Sequence, residues 1–213
     1  MTAIKSICLY CGSSSSTRES HRNAAREFGT LIAREKITLV FGGGRAGLMG
    51  LAADAALEAG GNVIGVIPEF LVEREVGHHA CTKLFTTKTM HDRKQKMAEL
   101  SDAFAILPGG LGTLDETFEI VTWRQLGLHE KPIVLVNIDE YWDPLLLLLK
   151  RMAHENYIPH REDEFYSVVS SIQDILPTVH LMPPVQTKLI NKCCLLYTSP
   201  SPRDQRGSRM PAG

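Results

Sequence analysis

The fold of this 213-residue chain is decided by residues 103–116, which read AFAILPGGLGTLDE. Residues 103–107 are all apolar, as expected for a strand that is buried on both faces. The glycines that follow let the backbone approach a ligand closely. The helix expected next offers unpaired N–H groups and the positive end of its dipole, which favour a bound phosphate. Since Glu116 lies early in that helix, we interpret the stretch as a nucleotide-cleaving site.

Strands alternate with helices on both sides of this stretch. Predicted strands cover residues 4–10, 37–41, 62–67, 84–87, 103–107, 132–137 and 167–169. Predicted helices cover residues 18–34, 48–59, 91–100 and 141–154, a further helix opens within 108–116 and runs to about 126, and another starts near 171. Residues 69–83 form a loop with a short helical turn. Apolar strands, short connections and this alternation predict an α/β fold: a parallel sheet flanked by helices on both faces.

Three loops rich in small residues follow predicted strands, at 12–16, 42–47 and 108–113. Ligands of parallel α/β sheets bind at the carboxyl ends of the strands. We therefore expect these loops to meet and to form the site. The order of the strands is not readable from the sequence.

Composition limits the classes of protein to consider. Apolar residues make up 44% and charged residues 22%, which is typical of a globular chain, and we expect a single domain over residues 1–185. The net charge of −1 disfavours a nucleic-acid partner. The longest marked apolar run, residues 145–149, is too short to span a membrane. No signal peptide is recognised at the start, and five scattered cysteines indicate a reducing environment, so we expect a cytoplasmic protein.

The last residues differ in character. Residues 186–213 are expected to be a disordered tail, because from about Cys193 they are rich in Ser, Pro and Arg and have no apolar period. They resemble translated cloning sequence and are excluded from the fold prediction.

Cysteine and histidine give little sign of a metal or redox site. Cys8 and Cys11 form a C-x-x-C pair, but on a strand they point to opposite faces, so we interpret them as buried side chains and keep a redox or metal role as the alternative. His78 and His79 lack metal-ligand spacing, so no metal site is predicted.

The loop after the second strand matches a dinucleotide fingerprint, Gly42-x-Gly44-x-x-Gly47. It belongs to the second strand–helix unit rather than the first, so NAD binding by an oxidoreductase is one alternative and contact with a smaller nucleotide is favoured. A third reading is that the glycines only allow close packing.

Thr113-x-x-Glu116 has the spacing of a capping box, in which Glu116 would serve the helix rather than a substrate. The helix also has two apolar sides. Leu114, Phe118 and Val121 form one stripe, and Ile120 and Trp123 lie opposite on the face that carries Glu116. A helix that is apolar on both sides is buried on both. The pattern predicts a subunit interface near Glu116.

Arg93 and Lys94 form a cation pair at the start of another helix. The helix dipole does not favour cations at that end. An anionic partner explains the pair, and the alternative is a solvated helix surface.

Together, Met90-His91-x-Arg93-Lys94, Pro108-Gly109-Gly110-x-Gly112-Thr113-x-x-Glu116 and the glycine-rich run at 42–50 resemble the Lonely Guy family of cytokinin riboside 5′-monophosphate phosphoribohydrolases, older named lysine decarboxylases. The resemblance covers residues 4–180. It implies a Rossmann-like fold, a homodimer and no cofactor. The implied reaction is hydrolysis of a purine nucleoside 5′-monophosphate, AMP included, to free base and ribose 5-phosphate.

The resemblance also assigns site residues. Arg93 and Glu116 are the implied catalytic pair. The implied nucleotide contacts are Glu75, Lys94, Gly109, Gly110, Leu111, Gly112, Thr113 and Thr122, with Gly43 nearby. No lysine that would bind pyridoxal phosphate is identifiable. The competing reading is a non-catalytic nucleotide sensor of the same fold.

Overall fold

The computed structural model describes residues 4–75, 77–158 and 164–182, apart from the side chains of residues 73–75. Its strands are β1 (Ser6–Tyr10), β2 (Thr38–Phe41), β3 (Val63–Pro68), β4 (Lys83–Thr87), β5 (Ala103–Ile106), β6 (Ile133–Val136) and β7 (Ser167–Val169). Its helices are α1 (Glu19–Arg34), α2 (Gly47–Glu58), α3 (Glu69–Glu75), α4 (Met90–Glu99), α5 (Leu111–Gln125), α6 (Asp143–His154) and α7 (Ile175–Leu181), with a 3-10 turn at Ile138–Glu140. The predicted tail at 186–213 lies outside the described residues.

The seven strands of the described part form one sheet in the order β4-β3-β2-β1-β5-β6-β7. Every pairing is parallel, which confirms the predicted α/β architecture. The chain adds strands outward from β1 as far as β4 and then returns to add β5 on the other side of β1. The order reverses between β1 and β5, and ligands of such sheets bind at the carboxyl ends of the strands where the order reverses.

Alternating side chains of the central strands enter two separate cores. Ile7, Leu9 and Cys11 pack with residues of α1, α2 and α7 on one face of the sheet. Cys8 and Tyr10 pack with residues of α4, α5 and α6 on the other. Burial raises the pKa of both thiols of the C-x-x-C pair. Cys8 and Cys11 are free and buried, so the prediction of opposite-facing core side chains is confirmed.

Helices α1 and α2 approach closely at Gly29. A Cβ at this position would lie 2.1 Å from the carbonyl oxygen of Ala52, so only glycine fits. This contact lies on the face opposite α4 and α5.

Among the described residues, no helix is long and apolar enough to cross a membrane.

Candidate active site

The predicted convergence of the three small-residue loops is confirmed. The Gly12 N–H donates to the carbonyl oxygen of Pro108 at 3.0 Å, which joins the first loop to the third. The Leu48 N–H donates to the carbonyl oxygen of Gly12 at 2.9 Å, which joins the second loop to the first. The backbone itself therefore holds the loops together at the carboxyl ends of β1, β2 and β5.

The start of α5 differs from the capping-box alternative. The N-cap residue is Gly110, and it makes no side-chain capping bond. Thr113 is the third residue of the helix rather than its cap, so Glu116 cannot complete a box with it. A capping box does form one helix earlier, where Thr89 caps α4 and Asp92 bonds back to the Thr89 N–H. Glu116 is therefore free of the capping role.

The amino end of α5 is open. A Cβ added at Gly110 or Gly112 would meet no heavy atom within 4 Å, and Leu111 between them is 86% exposed. The first N–H groups of a helix have no partner within it. Gly109 is a tighter position, since a Cβ there would lie 2.1 Å from Oγ1 of the buried Thr113. The loop thus presents free N–H donors on a surface with room for an anion.

Arg93, on α4, is buried beneath these loops and only 6% exposed. Its Nε donates to the carbonyl oxygen of Val66 at 3.1 Å, and its Nη2 donates to that of Gly42 at 2.9 Å. A Cβ at Gly42 would lie 1.9 Å from Nη2. Because glycine has no Cβ, position 42 leaves the space that the guanidinium of Arg93 occupies.

Glu116, on α5, faces Arg93 and is 9% exposed. Its Oε1 lies 3.6 Å from Nη1 of Arg93, which is an ion pair without a tight hydrogen bond. Burial raises the pKa of the carboxyl to about 7, because the positive charge of Arg93 opposes this rise only in part. Near neutral pH, the carboxyl is thus divided between its charged and neutral forms, as suits a group that exchanges protons.

Lys94 is paired with carboxylates of α5. Its Nζ lies 3.1 Å from Oδ2 of Asp115 and 3.2 Å from Oε1 of Glu119. Partial burial lowers the pKa of Lys94, but the hydrogen bonds to the two carboxylates raise it more, and the net shift is upward. Both members of the cation pair therefore have anionic partners within the protein. The Lys94 ammonium has three N–H donors and these carboxylates use two, so the third can contact a nucleotide without an exchange.

The remaining predicted substrate contacts are Gly43, Thr122 and Glu75, which lie on three different elements of the chain. Gly43 is buried, has a positive φ of 73° that favours glycine, and accepts a hydrogen bond from the His78 N–H at 2.9 Å. Thr122 is an exposed residue of α5, six positions beyond Glu116. Glu75 is the last residue of α3, and its side chain lies outside the described part.

The glycines of the dinucleotide fingerprint make contacts inside the protein. Gly42 makes room for Arg93, and Gly47, with a φ of 63°, packs against the backbone of Ser13. Within residues 4–75, 77–158 and 164–182, no cluster of three or more histidine, cysteine or acidic side chains is placed to hold a metal ion.

One contact at the site was not foreseen from the sequence. The Tyr141 hydroxyl donates to the carbonyl oxygen of Gly109 at 2.7 Å. Tyr141 follows β6, thirty-two residues after the loop it contacts, and no motif includes it. Only the adjacency of β5 and β6 in the sheet brings the two together.

Comparison with known proteins agrees with these features. A family model described as "possible lysine decarboxylase" matches residues 49–179. The chain is 49% identical over 155 residues to a cytokinin riboside 5′-monophosphate phosphoribohydrolase of Rhodococcoides fascians, covering 72% of this chain and 78% of the relative. A probable enzyme of the same name from Oryza sativa subsp. japonica is 42% identical over 178 residues, covering 80% and 78%. One from Arabidopsis thaliana is 36% identical over 188 residues, covering 88% and 82%.

Solved structures share the fold at low sequence identity. A molybdenum cofactor carrier protein of Chlamydomonas reinhardtii has a TM-score of 0.65 at 21% identity, covering 84% of this chain and 98% of that one. A corresponding cofactor-binding protein of Rippkaea orientalis has a TM-score of 0.63 at 22% identity, covering 84% and 98%. The fold is thus of the Rossmann-like kind. With the family match and the curated relatives, the chain belongs to the Lonely Guy family.

Proposed function

We propose that this protein hydrolyses the N-glycosidic bond of purine nucleoside 5′-monophosphates, cytokinin nucleotides and AMP included, and releases the free base and ribose 5-phosphate. The observation that carries the proposal is the buried pair of Arg93 and Glu116 beside the open amino end of α5. The curated relatives, named as phosphoribohydrolases, support it. Three free cysteines in the described part also suit the reducing cytoplasm that we propose as its location.

The phosphate end of the nucleotide would bind at residues 109–113. The free N–H groups of the first turn of α5 and its dipole would hold the 5′-phosphate. Glu116 lies six positions after Gly110, or about 9 Å along the helix axis. A ribose would bind between the anion and the carboxylate at that spacing, and positioning of this kind is itself a large part of catalysis.

The reaction breaks the bond between C1′ and the base nitrogen, and the bonding electrons leave with the base. Positive charge then builds on the ribose, as in other glycoside hydrolyses. Ionised Glu116 would stabilise that charge and accept a proton from the attacking water, whose oxygen bonds to C1′. Glu116 would then release that proton and the departing base would take up one, so that the carboxylate is regenerated and one water is consumed for each bond broken. Arg93 would hold the carboxylate in place and keep part of it ionised at neutral pH.

Lys94, Thr122, Gly43 and Glu75 are proposed to contact the rest of the nucleotide. Lys94 is the best placed of them, because the carboxylates that bind it flank Glu116 on α5. Thr122 lies on the exposed side of the helix four residues after Phe118, which is 38% exposed. Thr122 would contact the nucleotide only when a second subunit packs against this side of α5.

We propose a homodimer that packs along the outer side of α5. Leu111, Phe118 and Leu126 are exposed apolar side chains at or near one face of this helix, whereas Glu116 and Ile120 are buried against the rest of the protein. Exposed apolar stripes of this kind mark protein contacts. A second copy of the chain offers the same stripe and is the occupant that the geometry favours.

The test is release of base from AMP and from an N6-substituted AMP, followed by chromatography. The wild-type protein should release base, and Glu116→Gln should not, although it stays folded. Glu58→Gln, an exposed carboxylate at the end of α2, is the matched control and should retain activity. Failure of the wild type to cleave any purine monophosphate would favour the nucleotide sensor.

A further inference from the structure

Tyr141, a residue outside the family motifs, contacts the glycine loop at 109–113. Tyr141 lies just after the 3-10 turn that follows β6, and its hydroxyl donates to the carbonyl oxygen of Gly109 at 2.7 Å. Gly109 and Gly110 carry no side chains, so the peptide between them has few steric limits on its orientation. The Tyr141 bond fixes that orientation from outside the loop.

The orientation matters because a trans peptide is planar, with its C=O and N–H groups pointing in opposite directions. With the Gly109 oxygen held by Tyr141, the Gly110 N–H points away from the tyrosine. There it joins the unpartnered N–H groups at the start of α5, at positions where added Cβ atoms would meet nothing. A flipped peptide would present a carbonyl oxygen to the anion instead of a donor.

The turn that precedes Tyr141 has an unusual backbone conformation that is held by a contact with α1. Asp139 and Glu140 both have left-handed φ values, 52° and 57°, which non-glycine residues rarely adopt. Ser20 of α1 holds the turn by donating a hydrogen bond to the Asp139 carboxylate. Such backbone strain persists only where surrounding contacts require it.

Aromatic neighbours restrict the tyrosine ring. It makes edge contacts with His21, at 5.3 Å between ring centroids, and with Trp142, at 4.8 Å. Since Trp142 is buried, its contact anchors a ring that is itself 43% exposed. The hydroxyl therefore reaches Gly109 from a fixed base.

We infer that Tyr141 is a positioning residue for the anion end of the substrate: its hydroxyl orients the Gly109–Gly110 peptide so that its N–H faces the 5′-phosphate. This inference rests on the proposed function for the identity of the substrate. It requires only that the loop binds a sugar phosphate. It predicts an effect on phosphate-bearing ligands alone.

The experiment uses Tyr141→Phe, which keeps the ring and its aromatic contacts and removes only the hydroxyl. Tyr157→Phe is the matched control, because that tyrosine is exposed and its hydroxyl makes no hydrogen bond to the described residues. Calorimetry measures binding of ribose 5-phosphate, which has the anion, and of adenosine, which lacks it. Kinetics on AMP give kcat and KM separately.

Loss of one hydrogen bond should weaken ribose 5-phosphate binding by about five- to tenfold in Tyr141→Phe, with adenosine binding within about twofold of the wild type. KM for AMP should rise by the same factor at constant kcat. Unchanged ribose 5-phosphate binding, equal loss for adenosine, or no ribose 5-phosphate binding by the wild type overturns the inference. A wild type that binds ribose 5-phosphate but cleaves no nucleotide refutes the proposed reaction, and the binding measurements still decide the role of Tyr141.

Discussion

The smallest change that should inactivate this site without touching a predicted catalytic side chain is Gly42→Ala. The φ of Gly42 is not positive, so alanine can adopt its backbone conformation and the effect is steric. The new Cβ would lie 1.9 Å from Nη2 and 3.0 Å from Cζ of Arg93. Ordinary contact between such atoms needs about 3.5 Å, so the guanidinium must move by about 1.5 Å.

That movement breaks the hydrogen bond from Nη2 to the Gly42 carbonyl oxygen and displaces the partner of Glu116. A hydrogen bond from a charged donor contributes about 1.5–3 kcal/mol, and a displacement of about 1 Å near the reacting groups costs about a hundredfold in rate. We expect Gly42→Ala to lower the free energy of unfolding by about 2 kcal/mol and kcat for AMP by about a hundredfold.

The assay pairs urea unfolding with steady-state kinetics, and Gly29→Ala is its control. A Cβ at Gly29 would lie 2.1 Å from the Ala52 carbonyl oxygen, a similar clash on the opposite face of the sheet. Gly29→Ala should lose stability but keep the wild-type kcat per folded molecule. If Gly42→Ala also keeps it, the placement of Arg93 does not matter for catalysis and our reading of the pair is wrong.

Three further predictions concern Glu116 and Phe118 of α5. Because Glu116 must be ionised to act and burial raises its pKa to about 7, kcat/KM should rise with pH through that value. Arg93→Ala, which removes a charge that lowers this pKa, should move the rise to higher pH; a flat wild-type profile from about pH 5 to 9 would contradict both. The folded state holds the Glu116 proton more tightly than the unfolded state, so the contribution of Glu116 to the free energy of unfolding should be greatest below the ordinary pKa of 4.5. It should then fall by up to about 3 kcal/mol as pH rises to about 7, a slope that Glu116→Gln lacks in urea unfolding at pH 5 and 8. Finally, Phe118→Glu should yield monomers in size-exclusion chromatography with light scattering, while Phe70→Glu, at a more exposed position on α3, should not; a wild-type monomer would refute the dimer.

Most of the fold could be predicted from the sequence, because the strands of a parallel sheet that is covered on both faces are apolar throughout. The run at 103–107 is visible without any knowledge of its neighbours, and so is its glycine-rich continuation. The meeting of the loops followed from a general rule of such sheets. The register between strands and their order had no local signal, since pairing depends on contacts distant in sequence.

The site was harder to predict where the same capping motif occurs near the start of two helices. Thr89 with Asp92 and Thr113 with Glu116 have the same spacing, yet only the first pair forms a capping box. Thr113 lies inside its helix, because α5 already begins at Leu111, with Gly110 as its cap. The residues just before this start are held by a contact distant in sequence, from the Gly12 N–H to the Pro108 carbonyl oxygen, which the local pattern does not contain.

The position of Glu116 along α5 sets a limit on insertions and deletions. This helix begins at Leu111 in the glycine loop, carries the carboxylate five residues later, and presents Phe118 on its outer side. One residue added between 111 and 115 would turn everything downstream by about 100°. The carboxylate would swing away from Arg93 and the outer stripe would leave its side of the molecule, although the loop itself would be intact. Length within this first turn and a half is thus as constrained as the identity of the residues.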